Sequence, residues 1–152
     1  MTRTKRLKLA VTVVLALIII GAVISIAERW PHQFGGHGDP DHMLTDFIAT
    51  GTSLAPPLPI LVVLAIVAFT VGRRDRWGLY ATVAVLPLAI LMIVGSGGEG
   101  LAPATTQVPR GVQWLDGVYG VAAGVLLLLL AIASLRERRI HSLRESQPEP
   151  RA

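Results

Sequence analysis

Residues 117–135, GVYGVAAGVLLLLLAIASL, contain no Asp, Glu, Lys, Arg or His. Residues 126–130 are five consecutive leucines, so the predicted helix is apolar on every side and has no polar face to turn toward water. About 20 predominantly apolar residues form a helix that crosses the ~30 Å hydrocarbon core of a bilayer. The stretch therefore predicts a transmembrane helix.

Three further stretches, residues 9–27, 47–72 and 77–98, also lack these five residue types. The whole chain is 52% hydrophobic and only 16% charged, with a mean hydropathy of +0.58. These values are typical of membrane proteins rather than soluble domains. We predict an all-α integral membrane protein with four transmembrane helices in an up-down bundle.

The charged residues predict how the chain is threaded. Twelve of the 14 Lys and Arg residues lie in segments 1–8, 73–76 and 136–152, which all fall on one side of a four-span protein. With four acidic residues, that side has a net charge of +8, and the other side has −4. The positive-inside rule places both termini in the cytoplasm. The basic pI of 10.3 is then explained by anionic headgroups on the cytoplasmic side and not by nucleic acid.

The resulting organisation alternates spans with short connections. It consists of a basic cytoplasmic N-terminus (1–8), spans at 9–27, 57–72, 78–98 and 117–135, outer loops at 28–56 and 99–116, a cytoplasmic turn (73–77), and a basic, largely disordered tail (136–152). Pro87 predicts a kink in the third span, and residues 95–100, GSGGEG, predict a flexible exit from it.

The first span also resembles a secretory signal, because a basic start precedes it and Ser25-Ile26-Ala27 forms a small-x-small site. Its length exceeds the usual apolar region of about 7–15 residues, which favours a retained anchor. There is no cysteine, so these residues contain no disulfide and no thiol redox centre. Arg outnumbers Lys twelve to two, which is typical of a high-GC bacterial genome and favours a bacterial plasma membrane.

The first outer loop predicts a short amphipathic helix at about residues 40–50. Asp39-Pro40 is a suitable helix start, and Gly51 can end the helix. Met43, Leu44, Phe47 and Ile48 recur at helical spacing on one side. The helix is expected to lie on the outer membrane surface or across the ends of the spans.

The same loop contains candidate metal ligands. His32, His37 and His42 occur at five-residue intervals, with Asp39 and Asp46 among them. Imidazole and carboxylate together suit Zn²⁺ or Cu²⁺, although the spacing matches no known zinc signature.

Small residues mark one face of the fourth span. Gly117, Gly120 and Gly124 lie on roughly the same side, and Gly120-x-x-x-Gly124 matches the small-xxx-small pattern of close helix packing. The face is predicted to pack either within the bundle or against another protein.

The absence of ionisable residues inside the predicted spans disfavours proton-coupled transport and haem ligation. The leading interpretation is therefore a small non-enzymatic accessory, assembly or interaction subunit, with no cofactor and with a membrane-protein partner or a second copy of itself. The alternative is a metal-binding or metal-handling protein that uses the outer-loop histidines. A third is a lipid or peptidoglycan enzyme that uses Glu99 and Asp116.

Overall fold

The computed structural model describes residues 2–32, 38–103 and 108–145. These residues form five helices and no β-strand: α1 (Arg3–Ala27), α2 (Met43–Ala49), α3 (Leu58–Thr70), α4 (Arg76–Leu101) and α5 (Arg110–Glu145). The predicted all-α fold class is confirmed, since helices account for all the regular structure of the described residues.

Three of the described helices are long and apolar enough to cross a membrane: Arg3–Ala27, Arg76–Leu101 and Arg110–Ile140. The helix in the predicted second span is shorter, because α3 has only 13 residues. At 1.5 Å per residue it is about 20 Å long, less than the ~30 Å hydrocarbon core. Prolines explain its late start: Pro56, Pro57 and Pro59 lack backbone N–H donors, so a helix can begin here but cannot continue through them.

The chain before α3 is irregular but buried. Thr52, Ser53 and Ala55 are all less than 9% exposed, and Ser53 N–H donates to the Trp30 carbonyl over 3.2 Å. The Leu54 carbonyl oxygen lies 2.9 Å from the point where a Cβ on Gly21 would stand, so the segment packs directly on the α1 backbone. Gly21 lies six residues before the end of α1, so Leu54 contacts this helix about 9 Å from its C-terminal end.

Helices α4 and α5 form an antiparallel pair with backbone-to-backbone contact. A Cβ on Gly117 would lie 2.9 Å from the Gly100 Cα atom, and one on Gly120 would clash with the Ser96 side chain. One turn further, a Cβ on Gly124 would lie 2.9 Å from the Ala89 carbonyl oxygen. Small residues therefore allow the two helices to approach along three turns.

This contact changes the predicted boundaries. Residues 95–100 are helical instead of forming a flexible exit, because packing against α5 outweighs the low helix propensity of glycine. The connection between α4 and α5 is therefore residues 102–109 rather than 99–116. The helix also runs through Pro87, which is exposed.

Part of the segment that is predicted to be a disordered tail is helical. The α5 helix continues ten residues beyond residue 135, to Glu145. Arg, Glu and Leu in this extension are good helix formers, so the helix continues where the apolar run stops. Residues 146–152 lie outside the described residues.

Polar contacts join the helices at the end of the molecule where α1 begins and α5 ends. The hydroxyls of Thr4 and Ser134 are 3.0 Å apart, and the Arg3 backbone N–H donates to a Glu137 carboxylate oxygen over 3.2 Å. The Arg138 guanidinium donates to the Arg73 carbonyl over 2.8 Å, which joins α5 to the turn between α3 and α4.

An apolar core lies between the helices, and α1, α3, α4 and α5 all contribute to it. Its buried side chains include Leu7, Val11, Val14, Leu61, Leu64, Val67, Val85, Ala89, Leu127 and Ala131.

Candidate functional site

The outer-loop residues are organised by the turn that precedes α2. One carboxylate oxygen of Asp39 accepts the Asp41 backbone N–H over 2.9 Å, and the other lies 2.6 Å from His42 Nδ1. A second carboxylate closes the turn, because Asp46 Oδ2 accepts the Asp39 backbone N–H over 2.7 Å. Aspartate is suited to position 39, because its short carboxylate can accept a hydrogen bond from the backbone N–H two residues later in the chain.

His32 approaches the same turn from the end of α1. Its carbonyl accepts the Gly38 N–H over 3.1 Å. A Cβ on Gly38 would lie 2.8 Å from His32 Nδ1 and 2.9 Å from Asp46 Oδ2, so the imidazole and the carboxylate both border this glycine. A larger residue at position 38 would therefore displace one or both of these side chains.

The charges of this turn act on one another. The hydrogen bond that His42 donates to Asp39, together with the charges of Asp39, Asp41 and Asp46, raises the pKa of His42 above its usual value. In return, the hydrogen bonds from His42 and from the Asp41 N–H lower the pKa of Asp39. The His42 imidazolium is thus favoured, with Nδ1 committed to Asp39, and only its Nε2 can face a further ligand.

The described members of the predicted ligand set are not assembled as a metal centre. Among the residues that the structure describes, no group of three or more His, Asp or Glu side chains is arranged to hold a metal ion. His32 and Asp46 border Gly38, whereas His42 pairs with Asp39. His37, the remaining predicted ligand, lies outside the described residues.

A shallow cleft of about 250 Å³ lies between the end of α1 and the start of α2. Arg29, Asp41 and His42 line its polar side, and Met43 and Leu44 contribute apolar surface. The Arg29 guanidinium and the Asp41 carboxylate are 3.4 Å apart, but both are highly exposed, so their attraction is weak. The cleft offers charge of both signs.

The glycine face of α5 points at α4. Each of Gly117, Gly120 and Gly124 has an atom of α4 within 3 Å of the point where its Cβ would stand. The face is therefore covered by this chain itself, and another protein would have to bind elsewhere.

A polar layer where α4 ends and α5 begins is the feature that the sequence interpretation did not anticipate. Glu99 is only 8% exposed and Gln113 is fully buried, next to the contact between Gly100 and Gly117. The Gln113 side-chain oxygen accepts a hydrogen bond from Arg110 over 3.1 Å, and Arg110 also donates to the Ala102 carbonyl. The sequence predicts a loop over residues 99–116, whereas Glu99 belongs to α4 and Asp116 to α5. The spacing of Gln113 and Asp116, which continues the face of Gly117 and Gly120, is the signal that could have located this layer.

Comparison with known proteins identifies no relative whose role could be compared with this chain. No protein-family model, no curated protein sequence and no solved structure matches the chain.

Proposed function

We propose that this chain is a four-span bacterial plasma-membrane protein with both termini in the cytoplasm, and that it acts without catalysis as an accessory, assembly or interaction subunit of a larger membrane complex. The membrane location is supported by three described helices that are long and apolar enough to cross a bilayer.

The fourth crossing combines α3 with the buried segment before it. Irregular backbone is tolerated at membrane depth where protein covers it, because its polar groups then find partners. Residues 52–55 meet this requirement: they are packed on α1, and Thr52 N–H donates to the Ala55 carbonyl over 2.8 Å. The 20 Å helix and this segment together can span the core that α3 alone cannot.

Impermeant thiol labelling in intact cells tests this threading without background, because the chain contains no cysteine. Single cysteines at the exposed positions Lys5 and Arg74 are expected to be protected until the cells are permeabilised, and those at Thr45 and Pro109 are expected to react. A chain in which α3 does not cross would show the reverse at two sites, with labelling at residue 74 and protection at residue 109.

The observation that carries the interaction role is the outward face of α2. Met43 is buried and fixes the helix to the bundle, whereas Leu44 and Ile48, four residues apart on one face, are 66% and 56% exposed. Exposed apolar pairs on a rigid support are typical of protein-binding surfaces. A membrane-protein partner or a second copy of the chain would cover this pair.

Photo-crosslinking in the native membrane tests the role. A photoreactive residue at position 44 or 48 is expected to trap one partner chain in stoichiometric yield. The same residue at Thr45, exposed on another side of the same helix, is the matched control and should trap little. A trapped species of twice the chain mass identifies a homo-oligomer. Crosslinking to lipid alone at positions 44 and 48 would show that α2 lies in the headgroup region and would contradict the subunit role.

A second candidate, metal handling at the outer face, is favoured by one observation: His32 and Asp46 converge on Gly38, in the turn that also holds the Asp39–His42 pair. A metal ion would have to complete the arrangement by drawing in His37 or turning His42. Its ligands would be neutral imidazole and carboxylate, so binding would release protons.

Metal handling predicts a pH-dependent site for Zn²⁺ or Cu²⁺, measured by calorimetry on the detergent-solubilised protein. Because the pKa of His42 is raised, the proton stays on this imidazole to higher pH, and affinity should begin to weaken at a higher pH than it would with an unperturbed histidine. Replacement of His32, His37 and His42 by Ala should abolish binding, while His141→Ala, at the chain's other histidine, should leave it unchanged. The accessory role predicts no saturable heat in either protein.

A further inference from the structure

Helices α1 and α5 touch near the start of α1 and then leave a groove between them. The contact is the pair of hydroxyls on Thr4 and Ser134, 3.0 Å apart. Beyond it lies a groove of about 510 Å³, whose walls are almost entirely apolar. Its floor is built from small side chains, among them Ala10, Ala122 and Ala123.

A single cation stands at one end of the groove. Arg6 is exposed and is the one charged residue in the lining, and Tyr119 lies toward the opposite end. Within the described part of the chain, no carboxylate lies within ion-pairing distance of Arg6. Its guanidinium is therefore available to an anion, and its fork of N–H donors matches the oxygens of a phosphate, the anion that phospholipid headgroups supply.

The length of the groove matches one leaflet of a bilayer. Along α1 it extends from Arg6 to Leu17, which is about 16 Å at 1.5 Å per residue. Half of the hydrocarbon core is about 15 Å thick. With Arg6 at the headgroup level, the far end of the groove lies near the bilayer midplane.

The volume favours a lipid chain over a helix as the occupant. A helix segment of this length with a diameter of about 10 Å would fill on the order of 1,250 Å³, more than twice the groove volume. A narrow, flexible alkyl chain can instead follow an apolar channel between two helices without separating them.

We propose that this groove binds one anionic phospholipid of the adjacent leaflet, with the lipid phosphate on Arg6 and one acyl chain lying against Ala10 and Ala122. The proposal needs only that α1 and α5 cross the membrane, so it does not depend on the accessory role. The driving forces are van der Waals packing of the acyl chain against the apolar side chains of the groove and a charge-assisted hydrogen bond at the headgroup.

Native mass spectrometry of the full chain, loaded with an equimolar mixture of phosphatidylglycerol and phosphatidylcholine in mild detergent, tests the site. The wild-type protein is expected to retain one phosphatidylglycerol per chain. Arg6→Gln should lower the preference for phosphatidylglycerol about fivefold, because the variant no longer attracts the net negative charge that phosphatidylglycerol has and zwitterionic phosphatidylcholine lacks. Ala122→Phe should lower the retention of both lipids, because its ring occupies the groove.

Two controls match these variants. Arg74→Gln removes another exposed arginine from outside the groove, and Val83→Phe adds a ring to an exposed position on α4. Both should retain lipid as the wild type does, and circular dichroism should show the same helix content in all variants. Unchanged selectivity in Arg6→Gln, or unchanged retention in Ala122→Phe, would overturn the proposal. A photoreactive residue at position 122 gives a further check in the native membrane. Crosslinking to a second protein chain instead of to lipid would also overturn the proposal.

Discussion

Gly117→Leu is expected to prevent the native packing of α4 on α5. The Cβ of the new side chain would lie 2.9 Å from the Gly100 Cα atom and 3.2 Å from the Ser96 carbonyl oxygen. Both are backbone atoms of α4, so the side chain cannot be accommodated by a change of rotamer. The helices must separate, and we expect a loss of about 3 kcal/mol or more in the free energy of unfolding. Denaturant titration in detergent micelles, together with the yield of monodisperse protein, measures this effect.

Gly95→Leu is the matched control for this substitution. Gly95 also lies inside α4, but no atom stands within 4 Å of the point where its Cβ would be. The same change should therefore leave the protein folded. Gly120→Leu and Gly124→Leu should behave like Gly117→Leu, and Leu128→Ile should be tolerated. If Gly117→Leu and Gly120→Leu both fold as well as Gly95→Leu, the α4–α5 contact described above is incorrect.

The glycine face illustrates what helical periodicity can and cannot predict. Spacing alone places Gly117, Gly120 and Gly124 on one side of a helix. It does not identify the surface opposite them, because that depends on residues distant in the chain. Here the surface is formed by Ala89, Ile93, Ser96 and Gly100 of α4. The segment GSGGEG looks like a loop by composition, and only its contact with α5 accounts for its helical structure.

The second apolar run shows a different limit. Hydropathy indicates whether residues 47–72 can enter lipid, but it does not indicate where backbone hydrogen bonds can form. Pro56, Pro57 and Pro59 determine that the helix begins only at Leu58. The preceding residues then depend on α1 for burial, through the contact of Leu54 with Gly21. No property of the segment itself predicts that contact.

The outer-loop residues were identified by type, but their pairing was not predictable from five-residue intervals. The interval suggests three equivalent imidazoles, yet His42 bonds to Asp39 while His32 borders Gly38. The difference comes from the turn, in which Asp46 of α2 accepts the Asp39 N–H. Loop geometry of this kind is fixed by such specific hydrogen bonds, which spacing does not encode.

Arg138 provides the second large effect, at the opposite end of the molecule from this loop. Its guanidinium donates to the Arg73 carbonyl over 2.8 Å and to the Val71 carbonyl at 3.5 Å. These carbonyls follow the last turn of α3, where helical partners are missing and positive charge is favourable. The α3–α4 turn is tight here, since a Cβ on Gly78 would clash with the Arg73 carbonyl. Arg138 thus holds the short helix α3 and the start of α4 against α5.

We expect Arg138→Ala to lower the free energy of unfolding by about 2 kcal/mol, because the charge-assisted hydrogen bonds to the exposed Arg73 carbonyl and the partly buried Val71 carbonyl are lost. Arg136→Ala, which removes an exposed arginine two residues earlier on the same helix, is expected to change it by less than about 0.5 kcal/mol. Denaturant titration of both variants in the same micelles gives the comparison. Equal stability of Arg138→Ala and Arg136→Ala would show that α3 is held by its apolar contacts with α1 and α4 alone. Selective loss of stability in Arg138→Ala, accompanied by faster proteolysis at the α3–α4 turn, is the expected result, because α3 is too short to be fixed in the membrane by its own length.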